Sequence, residues 1–234
     1  MSSISNDAIR VVREAPNLRE VTTETLRNAI LSMHFKPKQR LVERTLCEQT
    51  GVSRTCVREA LRHLESEGLV ERVPNKGLYV ATVTPDEARQ IYEVRAELES
   101  AAGRMFVKRA DDKRMKALET AAKRLEKASV KADVVPYVEA LDALYDVLLS
   151  GAGNEIAHDV LRSLRARMNY LRALTSQASS AEHKAETVAR LREIVAAAGR
   201  RDADAMERLC RRFVERSAEF AARVLREQEG DSAN

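Results

Sequence analysis

The sequence predicts a mainly α protein in which three helices and a β-hairpin precede an antiparallel all-helical bundle. The 234 residues include only eight glycines and five prolines, so turns are few and long helices are favoured. Three segments with helical spacing of apolar residues come first, and two short segments with alternating spacing follow them. Because every later segment returns to helical spacing, the chain divides into a small N-terminal domain and a larger helical one.

The first three helices are recognised by their apolar spacing and by the residues that begin them. Residues 1–16 are polar with little periodicity, which predicts a flexible arm. Apolar spacing predicts helices over about 18–33, 42–50 and 53–67. The third of these begins at Ser53, a residue type that caps helix N-termini well.

A β-hairpin is predicted directly after the third helix. The segments LVERV and LYVATV have extended character and are joined by the turn residues 74–77. The next four residues, 84–87, form a capping box with proline at the first helical position. We therefore place the N-terminal domain at residues 17–83, and its three helices and hairpin predict a winged helix-turn-helix.

The rest of the chain is predicted to be helical. This helical domain spans residues 84–228, and residues 229–234 are expected to be disordered. Its predicted helices cover about 85–110, 112–130, 134–150, 154–176, 180–198 and 202–227.

Charge is concentrated in the N-terminal domain. Residues 1–83 contain 13 Lys and Arg against 10 Asp and Glu, a net charge of +3, while the remaining 151 residues contain 27 against 26. A mildly basic small domain ahead of a nearly neutral large one is typical of a nucleic-acid-binding module joined to a domain of another kind.

Membrane, secretory and disulfide-rich classes are not supported. No apolar run reaches the roughly 18 residues that a membrane span needs, and the N-terminus lacks the apolar core of a secretory signal. A cytoplasmic protein without a membrane partner is therefore expected. The cysteines Cys47, Cys56 and Cys210 show no CxxC spacing, so neither a disulfide framework nor a zinc ribbon is predicted.

The third predicted helix has the pattern of a DNA-recognition helix. Arg54, Arg58 and Arg62 are spaced to line one exposed face, and arginine presents a planar fork that can bond guanine or phosphate. The alternative is a solvated face whose charge Glu59 and Glu65 balance. The opposite face carries the apolar stripe Val57, Ala60, Leu61 and Leu64.

The motifs GVSRT, VREAL, EGLV and NKG, with the continuation TPDEARQIYEVRAELESAA, resemble the GntR family of transcription regulators. The continuation is similar to the FadR-type subfamily, which has a helical FCD effector domain. The resemblance covers about 20–225 and implies DNA contacts by Arg44, Arg54, Arg58, Lys76 and Gly77. The third helix also starts with backbone N–H groups that suit a phosphate. The predicted DNA-contacting residues are therefore Arg44, Ser53, Arg54, Thr55, Arg58, Lys76 and Gly77.

The resemblance also implies a helical bundle around a cavity, where many members bind a divalent metal through one aspartate and three histidines. Here Asp142 is retained, Asp146 stands at the first histidine position, and Leu191 and Phe213 stand at the other two. Two carboxylates without an imidazole suit a tight transition-metal site poorly. We therefore expect neither a metal nor another cofactor.

A small-molecule effector is expected in this cavity. Arg95 and the arginines at 162, 165, 167 and 172 are candidates to bind an anionic effector. For at least two of the last four, a solvated helix face is the alternative. An arginine partner for the two aspartates is also expected, because buried carboxylates need a counter-charge. The predicted effector-binding residues are Arg95, Asp142, Asp146, Leu191 and Phe213.

These patterns predict a sequence-specific DNA-binding transcription regulator. The favoured form is a homodimeric repressor on double-stranded DNA with a palindromic operator, which a small-molecule effector releases. The alternative is a helical enzyme or metal-binding protein with a vestigial helix-turn-helix. Glu155 and His158 have the spacing of half a di-iron site, but a second such pair is absent, so no catalytic residues are predicted.

Overall fold

The computed structural model describes residues 18–131 and 133–232. The predicted flexible arm, residues 1–16, lies outside these ranges, and so do residues 233–234 of the predicted disordered tail. The N-terminal part consists of α1 (Leu18–Leu31), β1 (Arg40–Leu41), α2 (Glu43–Thr50), α3 (Arg54–Ser66), β2 (Val70–Val73) and β3 (Gly77–Val80).

The three strands form one antiparallel sheet in the order β1-β3-β2. The predicted hairpin of β2 and β3 is confirmed, with Val73 opposite Gly77, so that a three-residue loop forms the tip. Asn75 and Gly77 in this turn have φ values of 60° and 105°, in the left-handed region that Gly adopts at little cost. The sequence did not predict β1, because a two-residue strand that pairs Arg40 with Tyr79 has no period of its own.

Helix α3 forms as its cap and its apolar stripe predict. The Ser53 side chain accepts a hydrogen bond from the Cys56 backbone N–H at 3.3 Å, which satisfies one of the free donors at the helix start. The four predicted stripe residues are buried, and they pack mainly against α1, where Leu26 and Ile30 are buried as well.

The C-terminal part is an all-helical bundle in which α4 and α10 pack together most extensively. Each of the caps Thr84, Asp111 and Ser180 accepts a backbone N–H, as expected at helix starts. The helices are α4 (Pro85–Arg109), α5 (Asp112–Ser129), α6 (Val134–Ala152), α7 (Glu155–Ser163), α8 (Arg165–Ala178), α9 (Ala181–Gly199) and α10 (Ala203–Ser232).

Two helix boundaries differ from the sequence analysis. The single helix predicted over 154–176 is two helices, because Leu164 separates α7 from α8 and its N–H bonds to the Leu161 carbonyl at 3.2 Å in a tighter turn. Helix α10 continues to Ser232, so the backbone of residues 229–232 is helical where a disordered tail is expected. Within the described ranges, no helix is long and apolar enough to cross a membrane.

The buried apolar side chains form two clusters. One cluster joins the N-terminal helices to α8 and to the end of α10, so it extends across the predicted domain boundary at Val83. The second cluster lies within the helical domain, between α4, α5, α6, α9 and α10. Helix α8 therefore packs against the N-terminal domain while its other face is turned to the bundle.

Candidate nucleic-acid interface and effector cavity

Arginines are exposed along one face of α3, as the sequence predicts. Arg58 forms a bidentate pair with Glu43 of α2, with Nε to Oε1 at 3.1 Å and Nη2 to Oε2 at 3.0 Å. The hydrogen bond from Arg58 holds the pKa of Glu43 below its usual value. Arg62 pairs with Glu59 at 2.7 Å. The glutamates therefore balance part of this face, and Arg58 is held at a fixed position beside α2.

Arg54 differs from the other arginines of α3. It is exposed at the first position of the helix, and none of the side chains that the structure describes forms an ion pair with it. Ser53 and Thr55, on either side, are exposed as well. Arg44 of α2 is exposed and lies 3.0 Å from Glu48. The start of α3 thus offers an unpaired guanidinium beside free helix N–H groups.

The tip of the hairpin presents a second basic group. Lys76 is exposed, and its backbone N–H bonds to the Val73 carbonyl at 3.0 Å, which fixes the turn. Arg40 of β1 lies beside the tip, because its Nε is 3.7 Å from the place that a Cβ on Gly77 would take. The sequence analysis missed Arg40, because only the pairing of β1 with β3 brings it there.

Asp142 and Asp146 lie one turn apart on α6, and both pair with arginines of α8. Arg172 Nη1 donates to Asp142 Oδ1 at 3.0 Å, and Arg165 Nε lies 3.3 Å from Asp142 Oδ2. Arg165 also pairs with Asp146, and Asn169 Nδ2 donates to Asp142 Oδ2 at 3.0 Å. The expectation that arginine would neutralise these carboxylates is confirmed.

The residues at this position do not fit a transition-metal ion. Both oxygens of Asp142 and Oδ1 of Asp146 pair with guanidinium groups, whose positive charge would repel a cation. Phe213 has no lone pair, and Leu191 lies in the second apolar cluster, where α9 packs against α5. The nearby imidazole, His158, places Nε2 3.6 Å from Asp146 Oδ1. Among the described residues, no group of three or more His, Cys, Asp or Glu side chains is arranged to hold a metal ion.

Arg95 forms a second ion pair deep in the bundle. Its Nε donates to Glu99 Oε1 at 2.7 Å, and both side chains are almost fully buried, 3% and 1% exposed. The guanidinium lies 4.9 Å from the ring centroid of Tyr92 and 5.8 Å from that of Tyr145. Burial lowers the pKa of Arg95, but Glu99 and the tyrosines outweigh it and raise that pKa above its usual value. The sequence analysis did not find Glu99.

A small polar cavity of about 60 Å³ lies between α4, α6, α8, α9 and α10. Of the predicted effector-binding residues, Arg95 and Phe213 line this cavity. Asp142 and Asp146 do not line it, because they lie behind Arg172. Leu191 lies at a different place, between α5 and α9. His183 stacks on Phe220 with ring centroids 3.9 Å apart. Burial lowers the pKa of the His183 imidazole below its usual value. The lining residues are Tyr92, Arg95, Tyr137, Leu141, Arg172, Thr175, Ser176, Ser179, His183, Lys184, Thr187, Phe213, Ser217 and Phe220.

Known protein families match both the N-terminal part and the C-terminal part of the chain. The FCD domain family matches residues 90–216, and the family described as bacterial regulatory proteins, gntR family, matches residues 18–80. The chain belongs to the GntR family of transcription regulators and carries an FCD domain. The regulator is a DNA-binding protein whose FCD domain is the part that responds to a small-molecule effector. Nothing in these matches supports the alternative of a helical enzyme.

Individual relatives share this organisation. The regulator is 31% identical over 155 residues to the Nta operon transcriptional regulator of Aminobacter aminovorans, covering 66% of this chain and 73% of the relative. It is 25% identical over 209 residues to the HTH-type transcriptional repressor RspR of Escherichia coli, covering 88% and 89% of the two chains. The structure of E. coli McbR/YncC superposes with a TM-score of 0.74 at 22% identity, over 91% and 99% of the chains, and shows the same fold.

We expect the purified regulator to contain no stoichiometric zinc, nickel or manganese. The reason is that Arg165 and Arg172 take the carboxylate oxygens that a metal would need. Elemental analysis checks the metal content, and EDTA should leave both the melting temperature and the affinity for operator DNA unchanged. About one metal per chain, with a lower melting temperature after EDTA treatment, would show that His158 or His183 had been recruited as a ligand.

Proposed function

We propose that the regulator is a homodimeric repressor that places α3 in the major groove of a palindromic operator. Binding of a small-molecule effector releases the repressor from this DNA. The observation that carries the proposal is the start of α3, where Arg54 is exposed beside Ser53 and Thr55 and forms no ion pair with the side chains that the structure describes. A helix N-terminus of this kind reads base edges with its side chains and holds phosphate with its N–H groups. Repression is supported by the likeness to RspR, which is named a repressor.

Arg54 and Arg58 are proposed to contribute unequally to operator recognition. Arg58 must exchange its two hydrogen bonds with Glu43 for bonds to DNA, so its net gain is reduced by the bonds it gives up. Arg54 has no such partner among the described side chains to give up. We therefore assign the larger share of base recognition to Arg54.

Arg54→Ala is expected to weaken binding to the operator about tenfold to a hundredfold, because a bidentate arginine contact to guanine contributes about 1–3 kcal/mol. Fluorescence anisotropy on operator and scrambled DNA measures the effect, which should be larger on the operator. Arg124→Ala, which removes an exposed arginine from α5, is the matched control and should bind as the unmodified regulator does. Equal operator affinity of the two variants would show that Arg54 does not contact the operator.

Lys76→Ala is expected to weaken binding to operator and scrambled DNA alike. A lysine at a loop tip fits a phosphate or the minor groove, and one lost phosphate contact reduces the slope of log affinity against log salt by about one unit. Anisotropy titrations at several salt concentrations measure this slope, with Lys127→Ala on α5 as the control. An unchanged slope would place Lys76 away from the DNA.

Dimerisation is assigned to the helical domain, because a palindrome needs two copies and the two most exposed large apolar side chains among the described residues lie on this domain. Val130 at the end of α5 and Ile156 on α7 are exposed by 85% and 75%, which supports an interface on this domain. Sedimentation of the full chain at micromolar concentration should give twice the mass of 26.2 kDa. Selection from random DNA should enrich an inverted repeat. A monomer that selects an unrepeated site contradicts the proposal.

Helix α8 is the proposed link between the cavity and α3. It carries Arg172 at the cavity and Arg167 at the boundary with the N-terminal domain, where Arg167 lies 3.2 Å from Glu87 at the start of α4. Arg167 also lies against Gly68, two residues beyond the end of α3, since a Cβ at Gly68 would be 2.6 Å from Arg167 Nε. A shift of α8 on effector binding would therefore change where α3 lies and favour a state that no longer fits the operator.

A further inference from the structure

Helix α4 presents an apolar stripe at the surface of the helical domain. Val94 is 41% exposed, and Leu98, Ala101 and Met105 are partly exposed. These four residues, the α4 stripe, follow one another at intervals of four, three and four, which is the spacing of residues at the contact between two coiled-coil helices. Single apolar residues on a surface need no partner, but a stripe in this register fits a second helix.

The exposed apolar surface continues from α4 onto α7. Asn154, which precedes α7, places its Nδ2 3.9 Å from the Sδ of Met105, at one end of the α4 stripe. Ile156 and Val160 of α7 are both exposed, and residues four apart lie on the same face of a helix. Helix α7 therefore adds exposed apolar side chains close to this end of the stripe.

The exposed charges of α4 change sign along the helix, every residue of which the structure describes. Its first half exposes three acids and one arginine, and its second half exposes three bases and no acid. A second α4 running in the same direction would place like charges together, whereas an antiparallel one places the acidic half against the basic half. In chain order, these exposed residues are Asp86, Arg89, Glu93, Glu97, Arg104, Lys108 and Arg109.

An antiparallel pair of α4 helices satisfies the stripe as well as the charges. With a two-fold axis midway along the stripe, Val94 meets Met105 of the second copy, and Leu98 meets Ala101 of the second copy. Each of these contacts occurs twice, because a two-fold interface uses the same surface on both chains. The apolar residues of the stripe are therefore complementary to themselves in this arrangement.

One ion pair beside the stripe accompanies this register. Glu97 stands next to Leu98, and Arg104 stands next to Met105, so Glu97 comes opposite Arg104 of the second copy. Glu97 pairs with Arg211 of α10 in its own chain, but its side chain is still 71% exposed. Arg104 likewise pairs with α10 and is 44% exposed. Both side chains are therefore accessible to a second copy.

A groove between α5 and α9 is another exposed apolar surface of this domain, and it extends to Val130. Helix α5, which forms one wall of the groove, exposes lysines and arginines along its whole length, from Lys113 to Lys127. A second α5 packed against it in either direction would place bases against bases. Charge therefore favours α4 over α5 as the helix that pairs with its own copy.

We propose that α4 forms the dimer contact by packing antiparallel against α4 of a second copy of this chain. The proposal names the contact surface of the homodimer and so rests on the proposed function. Because the N-terminal domain precedes α4, this arrangement places the two α4 starts at opposite ends of the pair, about 40 Å apart. The two recognition helices are then free to reach half-sites about 34 Å apart on DNA.

Charge variants of the full chain test the register. Glu97→Lys alone places the introduced lysine opposite Arg104 of the second copy, and Arg104→Glu alone places the introduced glutamate opposite Glu97. We expect each variant alone to form a dimer at least tenfold weaker than the unmodified regulator. In a one-to-one mixture the dimer should return and contain one chain of each variant, because only this heterodimer has opposite charges at both contacts.

The mixture also removes the effect of contacts within one chain, since each variant keeps the same contacts with α10 in either kind of dimer. Sedimentation velocity measures the dimer, and native mass spectrometry with a mass tag on one variant gives its composition. A statistical mixture of homodimers and heterodimers would overturn the proposal. Variants that dimerise alone as tightly as the unmodified regulator would overturn it as well.

Val94→Lys tests the apolar stripe independently of the charge pairs. It should weaken the dimer at least tenfold, because it introduces a charge opposite Met105 of the second copy. Val130→Lys, which changes a more exposed valine at the groove between α5 and α9, is the matched control and should leave the dimer unchanged. Loss of the dimer in Val130→Lys with a normal dimer in Val94→Lys would overturn the proposal in favour of that groove.

The same measurements separate this surface from the proposed function. An unmodified regulator that sediments as a monomer would contradict the homodimer itself. An unmodified dimer that the variants of α4 leave intact would contradict only the α4 contact, and the homodimeric repressor would stand.

Discussion

Glu99→Ala is expected to lower the free energy of unfolding by about 3–5 kcal/mol, because it leaves the buried guanidinium of Arg95 without a counter-charge. Both side chains are almost completely inaccessible to solvent, so water cannot replace the lost carboxylate. The rings of Tyr92 and Tyr145 offset only part of this loss, since each cation–π contact contributes about 0.5–2 kcal/mol. Thermal unfolding should show a melting temperature lower by roughly 10 °C for a chain of this length.

Two control variants accompany Glu99→Ala. Glu93→Ala breaks an exposed ion pair with Arg89 and should cost less than about 1 kcal/mol. Arg95→Met combined with Glu99→Leu removes both charges and should recover most of the stability, because an apolar pair of similar volume avoids the desolvation cost. A loss for Glu99→Ala as small as that for Glu93→Ala would show that Arg95 reaches water or another partner.

The second large effect concerns the two aspartates of α6. Asp142→Ala is expected to cost about 3–5 kcal/mol, because it removes the counter-charge of Arg172, which is only 5% exposed. Asp146→Ala is the matched control one turn away, and it should cost less than about 1 kcal/mol, because Asp146 and Arg165 are 43% and 38% exposed. Chemical denaturation of the two variants measures the difference.

This comparison also separates ion pairing from metal binding. If the two aspartates held a metal together, both substitutions would remove a ligand, the two losses would be similar, and EDTA would abolish the difference in stability between each variant and the unmodified regulator. If they serve as counter-charges for arginines, the losses differ and EDTA changes neither. Equal losses for Asp142→Ala and Asp146→Ala would contradict the arginine account of this site.

Helix starts were predictable from the sequence because they depend on neighbouring residues. Ser53 and Thr84 each accept a backbone N–H three residues ahead, as a capping side chain does, and α3 and α4 begin there. The break between α7 and α8 was missed, since no glycine or proline marks Leu164. Strand β1 was missed as well, because its only structural signal is its pairing with β3.

The candidate site was predictable mainly where the resemblance to the FCD subfamily marked a position. Arg95 and the aspartates of α6 were found because they stand at positions that this resemblance singles out. Glu99 was not found, because four-residue spacing from an arginine is equally common on a solvated helix face. Leu191 is buried, as the apolar periodicity of α9 predicts. Periodicity shows which face of a helix is buried but not what packs against it. Here α5 packs against this face of α9, and Leu191 does not reach the cavity.

The most direct test of the central claim is the specificity of DNA binding by the full-length regulator. A site is first selected from random DNA, and anisotropy then compares the selected site with a scrambled one at one salt concentration near the physiological value. The account predicts tighter binding to the selected site by about a thousandfold or more, with two chains per site. Equal affinity for the two DNA fragments would contradict sequence-specific recognition by α3.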